Sequence, residues 1–122
     1  MSPILPTVLL VVDDSSVRMD FADGLELAGF TVLEAADADA ALAILGNKSE
    51  IRVLVTEIGI PGSMNGGRLA AAAVQGLPTV KIILLSGGTL PPAVPEGSQL
   101  LKVPYGRNDV AKAVRSILAG EC

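Results

Sequence analysis

Residues 53–57, Val53-Leu54-Val55-Thr56-Glu57, form a short apolar run rich in β-branched residues that stops at an acid. A similar run, Thr7–Val12, stops at the acidic pair Asp13-Asp14. Continuous apolar runs of this length are typical of strands that are buried on both faces of a parallel sheet. Because ligand sites in such sheets lie outside the carboxyl ends of the strands, the three carboxylates are predicted to lie together at one edge.

Strand-like and helix-like segments alternate along the whole chain. The other predicted strands are Phe30–Ala35, Lys81–Leu85 and Leu100–Val103. The predicted helices are Ser15–Ala28 with Val17 facing inward, a helix capped by Asp37 that runs through Gly46, Gly67–Gln75, and Asp109–Leu118. Alternation of this kind predicts an α/β fold, a doubly wound parallel sheet of five strands with helices on both faces.

The segment Gly87–Pro95, between the last two predicted strands, breaks the alternation. It contains three prolines and two glycines, which cannot sustain a regular helix of normal length. A loop or a single helical turn is therefore predicted, and the fourth helix of the alternation is expected to be short or missing. We expect this segment to be the most mobile part of the domain.

Composition limits the possible classes of function. With 122 residues, a net charge of −4 and no histidine, the chain is expected to form a single domain over residues 1–122 that does not bind nucleic acid. Its apolar stretches are broken before the roughly 20 residues that a membrane span needs, and its N-terminus lacks the features of a signal peptide. A soluble, cytoplasmic protein with no membrane partner is expected, and the lone Cys122 fits a reducing compartment.

Four short motifs stand at the ends of predicted strands: Val11–Ser15, Glu57–Gly62 with a following Asn65-Gly66, Leu85–Gly87, and Val103–Tyr105. In this order and at these spacings they resemble the receiver domain of two-component response regulators, over residues 7–119. The resemblance implies a flavodoxin-like sheet with strand order 2-1-3-4-5. It also implies a magnesium site at which an aspartate takes a phosphoryl group from a histidine of a partner kinase.

Each position of that site has a counterpart in this chain. The resemblance implies that Asp13 and Asp14 are the metal-binding pair, that Glu57 stands at the phosphoacceptor position, and that the backbone carbonyl of Gly59 is a further metal ligand. Ser86 matches the hydroxyl that contacts the phosphoryl group. Weak Mg²⁺ binding, a histidine kinase or other signalling protein as partner, and a monomer or weak homodimer are expected.

Two positions depart from the pattern of the family. Glu57 is one methylene longer than the aspartate that accepts the phosphoryl group, and Val103 precedes Pro104 where the family has a lysine. Lys102 lies one residue early, and because strand side chains alternate between faces, it is predicted to point away from the pocket unless a β-bulge re-aims it. The resemblance also predicts a cis bond between Val103 and Pro104.

These departures predict a receiver-like module that is not phosphorylated and acts by binding proteins. One alternative is a working receiver of unusual geometry, with Lys102 bulged inward. A metal-dependent phosphohydrolase is disfavoured, because Ser15 stands where its acid/base would be needed. Simpler structural explanations also exist: Asp13-Asp14 as a helix cap with a solvated acid, Ser86 as a turn hydroxyl, and Lys102 as a surface lysine.

Overall fold

The structure, a computed structural model, describes residues 7–47, 50–87 and 94–120. Its five strands are β1 (Thr7–Val11), β2 (Thr31–Ala35), β3 (Ile51–Glu57), β4 (Lys81–Ser86) and β5 (Gln99–Lys102). The helices of the described residues are α1 (Ser15–Leu27), α2 (Ala38–Asn47), α3 (Gly66–Gly76) and α4 (Arg107–Ala119). The predicted elements agree with these bounds to within two residues at each end.

The five strands form one parallel sheet in the order β2-β1-β3-β4-β5, as predicted. All strands therefore end on the same side of the molecule. The turns that follow β1, β3, β4 and β5 lie along this side, which we call the carboxyl edge. Every residue of the predicted site is on one of these turns or at the end of the strand before it.

Helices cover both faces of the sheet. Alternate residues of β1 serve two separate cores, because strand side chains point to opposite faces in turn. Val8 and Leu10 pack with α1 and α4, whereas Leu9 and Val11 pack with α2 and α3. The prediction for Val17 is wrong: it is 36 % exposed, because the buried part of α1 begins only at Phe21, one turn later.

The connection between β4 and β5 contains no helix in its described residues 94–98. These residues form a turn in which the Ser98 hydroxyl donates to the Pro95 carbonyl at 2.6 Å and Gly97 has a φ of 85°. The rest of the predicted loop, residues 88–93, lies outside the described residues, and so does the prediction of its mobility. Within the described part of the chain, no helix is long and apolar enough to cross a membrane.

Candidate functional site

The turn after β1 places the two aspartates in different roles. Asp14 caps α1: its Oδ1 accepts from the N–H of Ser16 at 2.9 Å and of Val17 at 3.1 Å. Asp13 is exposed, and its own backbone N–H donates to Glu57 Oε1 at 3.2 Å. The cap that offered a structural explanation for the acidic pair is therefore present, and it uses one oxygen of Asp14.

Glu57 is the last residue of β3 and is partly buried. Its carboxylate reaches sideways to the turn after β1, where it accepts the hydrogen bond from Asp13. The hydrogen bond joins residues 44 positions apart in the sequence. The carboxylate at the predicted acceptor position is thus held by the backbone of the neighbouring turn.

Arg18 is part of this site, although no motif in the sequence singled it out. Its Nη1 donates to the carbonyls of Val12 at 2.8 Å and of Asp13 at 3.3 Å, and its Nε pairs with Glu34 Oε1 at 3.2 Å. Its side chain is only 18 % exposed. One signal could have pointed to it: Arg18 lies four residues after the capping Asp14, and this spacing places both on the same side of a helix start.

Glycine is required at the end of the loop after β3. The Gly66 N–H donates to the Ile58 carbonyl at 2.8 Å, and a Cβ at Gly66 would overlap the Glu57 carbonyl. Asn65, just before it, caps α3 by accepting from the Arg68 N–H at 2.9 Å. The backbone that follows Glu57 is therefore tightly packed, whereas a Cβ at Gly59 would meet no atom within 4 Å.

The middle of the same loop is tied to α2. The Ser63 hydroxyl donates to Asp39 Oδ1 at 2.7 Å, and the Ser63 N–H donates to Asp39 Oδ2 at 3.2 Å. The Ala38 N–H donates to the Pro61 carbonyl at 3.0 Å. These bonds fix the part of the loop between Gly59, the predicted carbonyl ligand, and α3.

The ends of β4 and β5 place Ser86, Lys102 and Val103. Ser86 is buried and lies opposite Lys102 in a β4–β5 register that is regular from Ile83 to Ser86. Lys102 therefore shares a face with Ser86, and alternation places Val103 on the same face as Glu57. No bulge re-aims Lys102 over these paired residues. Val103 is 55 % exposed, and the peptide bond to Pro104 is cis, as predicted.

Tyr105 links the start of α4 to the acidic part of the edge. Its ring packs against that of Phe21, with the two ring centroids 5.9 Å apart. Burial raises the pKa of Tyr105, and the negative charge of Glu57 raises it further. The phenol is therefore within electrostatic reach of Glu57, a relation that no local sequence pattern predicts.

The oxygen atoms at this edge are of the type that Mg²⁺ prefers, carboxylates and a backbone carbonyl. Among residues 7–47, 50–87 and 94–120, however, no three His, Cys, Asp or Glu side chains lie close enough together to hold a metal ion. Asp14 is turned to its helix cap and Glu57 to the Asp13 N–H. The donor chemistry fits the ion, but the carboxylates would have to leave these partners to converge on it.

Known proteins resemble this chain in sequence. Residues 8–100 match the family model of the response regulator receiver domain. The chain is 37% identical over 82 residues to the sensor kinase CckA of Brucella abortus (strain 2308). The matched stretch covers 66% of the chain and 9% of that protein. It is 38% identical over 90 residues to the C4-dicarboxylate transport transcriptional regulatory protein DctD of Rhizobium meliloti (strain 1021), covering 73% of the chain and 19% of that protein.

Solved structures resemble it over nearly the whole chain. A response regulator receiver protein from Sinorhizobium medicae WSM419 superposes with a TM-score of 0.87 at 26% identity, covering 97% of this chain and 98% of that one. The receiver domain of the hybrid histidine kinase CckA gives a TM-score of 0.79 at 31% identity, covering 92% and 98%. The chain belongs to the receiver domain family of two-component systems. It spans under a fifth of the length of the two curated relatives.

Proposed function

We propose that this receiver domain does not accept a phosphoryl group in its present form and acts by binding another protein. One observation carries the proposal: Glu57, at the position that the resemblance assigns to the acceptor, has its carboxylate bonded to the Asp13 N–H at 3.2 Å. A nucleophile must face the incoming phosphorus in line with the leaving group. This carboxylate instead faces the backbone of the neighbouring turn.

The length of Glu57 supports the same conclusion. Its carboxylate oxygens lie one methylene farther from the backbone than those of an aspartate, a shift of about 1 Å or more. A misplacement of this size can reduce the rate of a positioned reaction by about a hundredfold. Rigid packing prevents the backbone from moving back to compensate, because Gly66 lies directly against the Glu57 carbonyl.

The second supporting feature is that the part of the chain described by the structure places no free cation beside Glu57. Phosphoryl transfer depends on positive groups that neutralise the charge on the transferring oxygens. Val103 supplies none, and the register places Lys102 on the face opposite to that of Glu57. Ser86 lies on that same opposite face, so the register separates both Lys102 and Ser86 from Glu57. Arg18 is already bonded to two backbone carbonyls and paired with Glu34. The regular β4–β5 register also gives no support to the alternative of a working receiver with Lys102 bulged inward.

Receiver domains commonly bind Mg²⁺, and we propose that this one does so weakly through Asp13, Asp14, Glu57 and the Gly59 carbonyl. Oxygen ligands at one edge suit a hard divalent cation. Recruiting Asp14 would break its cap on α1, which stabilises a helix by about 1 kcal/mol. That cost corresponds to about a fivefold loss of affinity, which is why the binding is expected to be weak.

The proposed partner is a histidine kinase or another signalling protein of a two-component system. The names of the curated relatives, a sensor kinase and a transcriptional regulatory protein, fit this class of partner. We further propose that the domain has no catalytic activity of its own, works in the cytoplasm, and is a monomer or a weak homodimer. Its output would then depend on recognition of its surface rather than on a covalent modification.

The test is incubation with acetyl phosphate and Mg²⁺, followed by intact mass measurement. We expect no added phosphoryl mass on the unmodified chain. Glu57→Asp would draw the carboxylate back, and Val103→Lys would supply a cation, but neither change alone should suffice. Because the two residues would act as one unit, the double variant should gain more than the sum of the single gains.

A matched control carries the same kinds of substitution away from the edge. Glu50→Asp and Val94→Lys change an exposed turn acid and an exposed valine of the described residues, and together they should leave the chain unphosphorylated. Phosphorylation of the unmodified chain, mapped to Glu57, would contradict the proposal. An inert double variant would show that the loss of phosphorylation extends beyond these two residues.

A further inference from the structure

The exposed side of α1, next to α4, carries an apolar residue that the carboxyl edge does not use. Leu27 is 78 % exposed, the most exposed large hydrophobic side chain of the described residues. A single exposed leucine is common on protein surfaces and has no meaning by itself. Its surroundings decide whether it belongs to an interface.

Charges of opposite sign lie on the two sides of Leu27. Asp23 and Glu26, both exposed on α1, line one shallow pocket with it. Arg107 also lines this pocket, but its charge is paired with Asp20. Lys112 and Arg115, both exposed on α4, line with it a groove of about 370 Å³ between the two helices. We call Asp23, Glu26, Leu27, Lys112 and Arg115 the α1–α4 surface. The two acids lie on one side of Leu27, and the two cations of α4 lie on the other side.

The charges of this surface are free to meet a partner. None of Asp23, Glu26, Lys112 and Arg115 forms an ion pair with another residue of the described ranges. In contrast, Arg107 and Asp20, on the same two helices, pair at 3.4 Å. The α1–α4 surface therefore keeps four charges unpaired around an exposed apolar centre, although α1 and α4 pack against each other.

We propose that the α1–α4 surface binds a second copy of this chain in a two-fold symmetric dimer. In such a dimer the same patch of both copies meets itself. A two-fold axis through Leu27 turns the acidic side of one copy onto the basic side of its partner. Asp23 and Glu26 then face the partner's Lys112 and the partner's Arg115, and the contact is made twice. The two copies of Leu27 meet at the axis and exclude water there.

This dimer is weak and sensitive to salt. Exposed ion pairs contribute little individually, and the patch is small compared with a stable interface. A dissociation constant on the order of 0.1 mM is expected. The Debye length falls from about 10 Å at 0.1 M salt to about 3 Å at 1 M, so the association weakens as salt is added. The inference rests on the weak homodimer of the proposed function and assigns a face to it, and it is independent of the phosphorylation argument because none of the five residues lies on the carboxyl edge.

The test is sedimentation equilibrium of the 122-residue chain and of two charge-reversed variants. The acid-reversed variant is Asp23→Lys with Glu26→Lys, and the base-reversed variant is Lys112→Glu with Arg115→Glu. Each variant alone places like charges opposite each other at both contacts. Its association should weaken by about tenfold or more, because the change counts twice in a symmetric dimer.

An equimolar mixture of the two variants gives the decisive result. One variant is basic on both sides and the other acidic on both sides, so a mixed dimer regains attraction at both contacts. We expect association in the mixture to return to about that of the unmodified chain. The mixture also distinguishes charge repulsion from misfolding as the cause of weaker association, since a variant that fails to fold would not associate in the mixture. The control Glu50→Lys, an exposed reversal elsewhere, should associate like the unmodified chain.

Three results would overturn the proposal. The unmodified chain could remain monomeric up to about 1 mM, an upper bound well above the expected dissociation constant. Its association could be insensitive to the reversals, which would place the dimer contact on another face. The mixture could fail to associate more strongly than either variant alone. None of these results depends on whether Glu57 accepts a phosphoryl group.

Discussion

At the carboxyl edge, a side-chain hydrogen bond joins the end of β3 to the turn after β1, whereas the ends of β4 and β5 are joined by the backbone bond from the Val103 N–H to the Ser86 carbonyl at 3.1 Å. In the β1–β3 half, Glu57 accepts a hydrogen bond from the turn after β1, and Arg18 donates to two backbone carbonyls at that turn. In the β4–β5 half, Val103 is exposed and points its apolar side chain along the face of Glu57.

The difference separates two requirements of a receiver domain. The β1–β3 half keeps its acids in place through packing and hydrogen bonds that stabilise the fold. The β4–β5 half holds Val103, the residue that the resemblance aligns with the lysine of the family. The acids of the β1–β3 half therefore contribute to stability independently of any phosphoryl chemistry.

Gly66→Ala should have the largest effect on stability, because it adds a Cβ at the tightest contact of the β1–β3 half. The new Cβ would overlap the Glu57 carbonyl and crowd the backbone of Ile58. Overpacking of this kind in a rigid turn should lower the free energy of unfolding by about 3 kcal/mol. Gly87→Ala, in the turn after β4, places its Cβ where no atom lies within 4 Å and should change stability little. Urea unfolding measures the free energy of unfolding of both variants. Equal losses in the two would contradict the proposed difference between the two halves of the carboxyl edge.

Arg18→Met should have the next largest effect. The variant keeps much of the apolar stem but leaves the Val12 and Asp13 carbonyls without their donor and Glu34 without its partner. Hydrogen bonds that involve a charged group each contribute about 1.5–3 kcal/mol, and a loss of about 2 kcal/mol is expected. Lys102→Met, on the exposed lysine of the β4–β5 half, should stay within about 0.5 kcal/mol. If Arg18→Met left the free energy of unfolding unchanged, the turn after β1 would not depend on Arg18 for its stability.

Asp14→Ala should lower the free energy of unfolding by about 1 kcal/mol through loss of the α1 cap. It should also abolish any rise of the melting temperature in millimolar Mg²⁺, since ligand binding stabilises the folded state. Asp14→Ser separates the two roles, because serine can cap the helix but offers no carboxylate. It should recover most of the stability without the response to Mg²⁺. If Asp14→Ala were instead more stable than the unmodified chain, repulsion among the carboxylates would outweigh the cap.

Glu57→Gln should give the smallest effect, a lower pKa of Tyr105. Removing the charge of Glu57 removes the lesser of the two causes that raise this pKa, while burial remains. Tyr105 is the only tyrosine of the chain, so its tyrosinate absorbance can be titrated directly. Glu34→Gln, on β2, serves as the control and should leave the pKa unchanged. An unchanged pKa in Glu57→Gln would show that the two groups are not electrostatically coupled.

The raised pKa of Tyr105 also fixes how stability depends on pH. A group whose pKa is higher in the folded state contributes stability that is fully present below its unfolded pKa, near 10 for tyrosine. That contribution is lost as the pH rises through the folded pKa. The free energy of unfolding should therefore fall at alkaline pH, and it should fall less in Glu57→Gln. Urea unfolding across this pH range measures both.

The sequence predicted the elements of the fold because each depends on local patterns. Apolar runs that end in acids predicted β1 and β3, and the proline-rich stretch before β5 predicted an interruption of the helices. Asp37 was predicted to cap α2, and its Oδ1 accepts from the Ala40 N–H at 2.7 Å. The error at Val17 has the same origin, since periodicity places a residue on a face of the helix but cannot tell at which turn of the helix burial begins.

The sequence also placed the carboxylates at one edge, because the ends of parallel strands must lie on the same side of the sheet. Only the tertiary structure decided what each side chain does there. The bonds from Asp13 to Glu57 and from Arg18 to Glu34, and the nearness of Tyr105 to Glu57, join residues far apart in sequence. Such contacts depend on strand register, twist and the choice of rotamer, and a local sequence pattern constrains none of these for a distant partner.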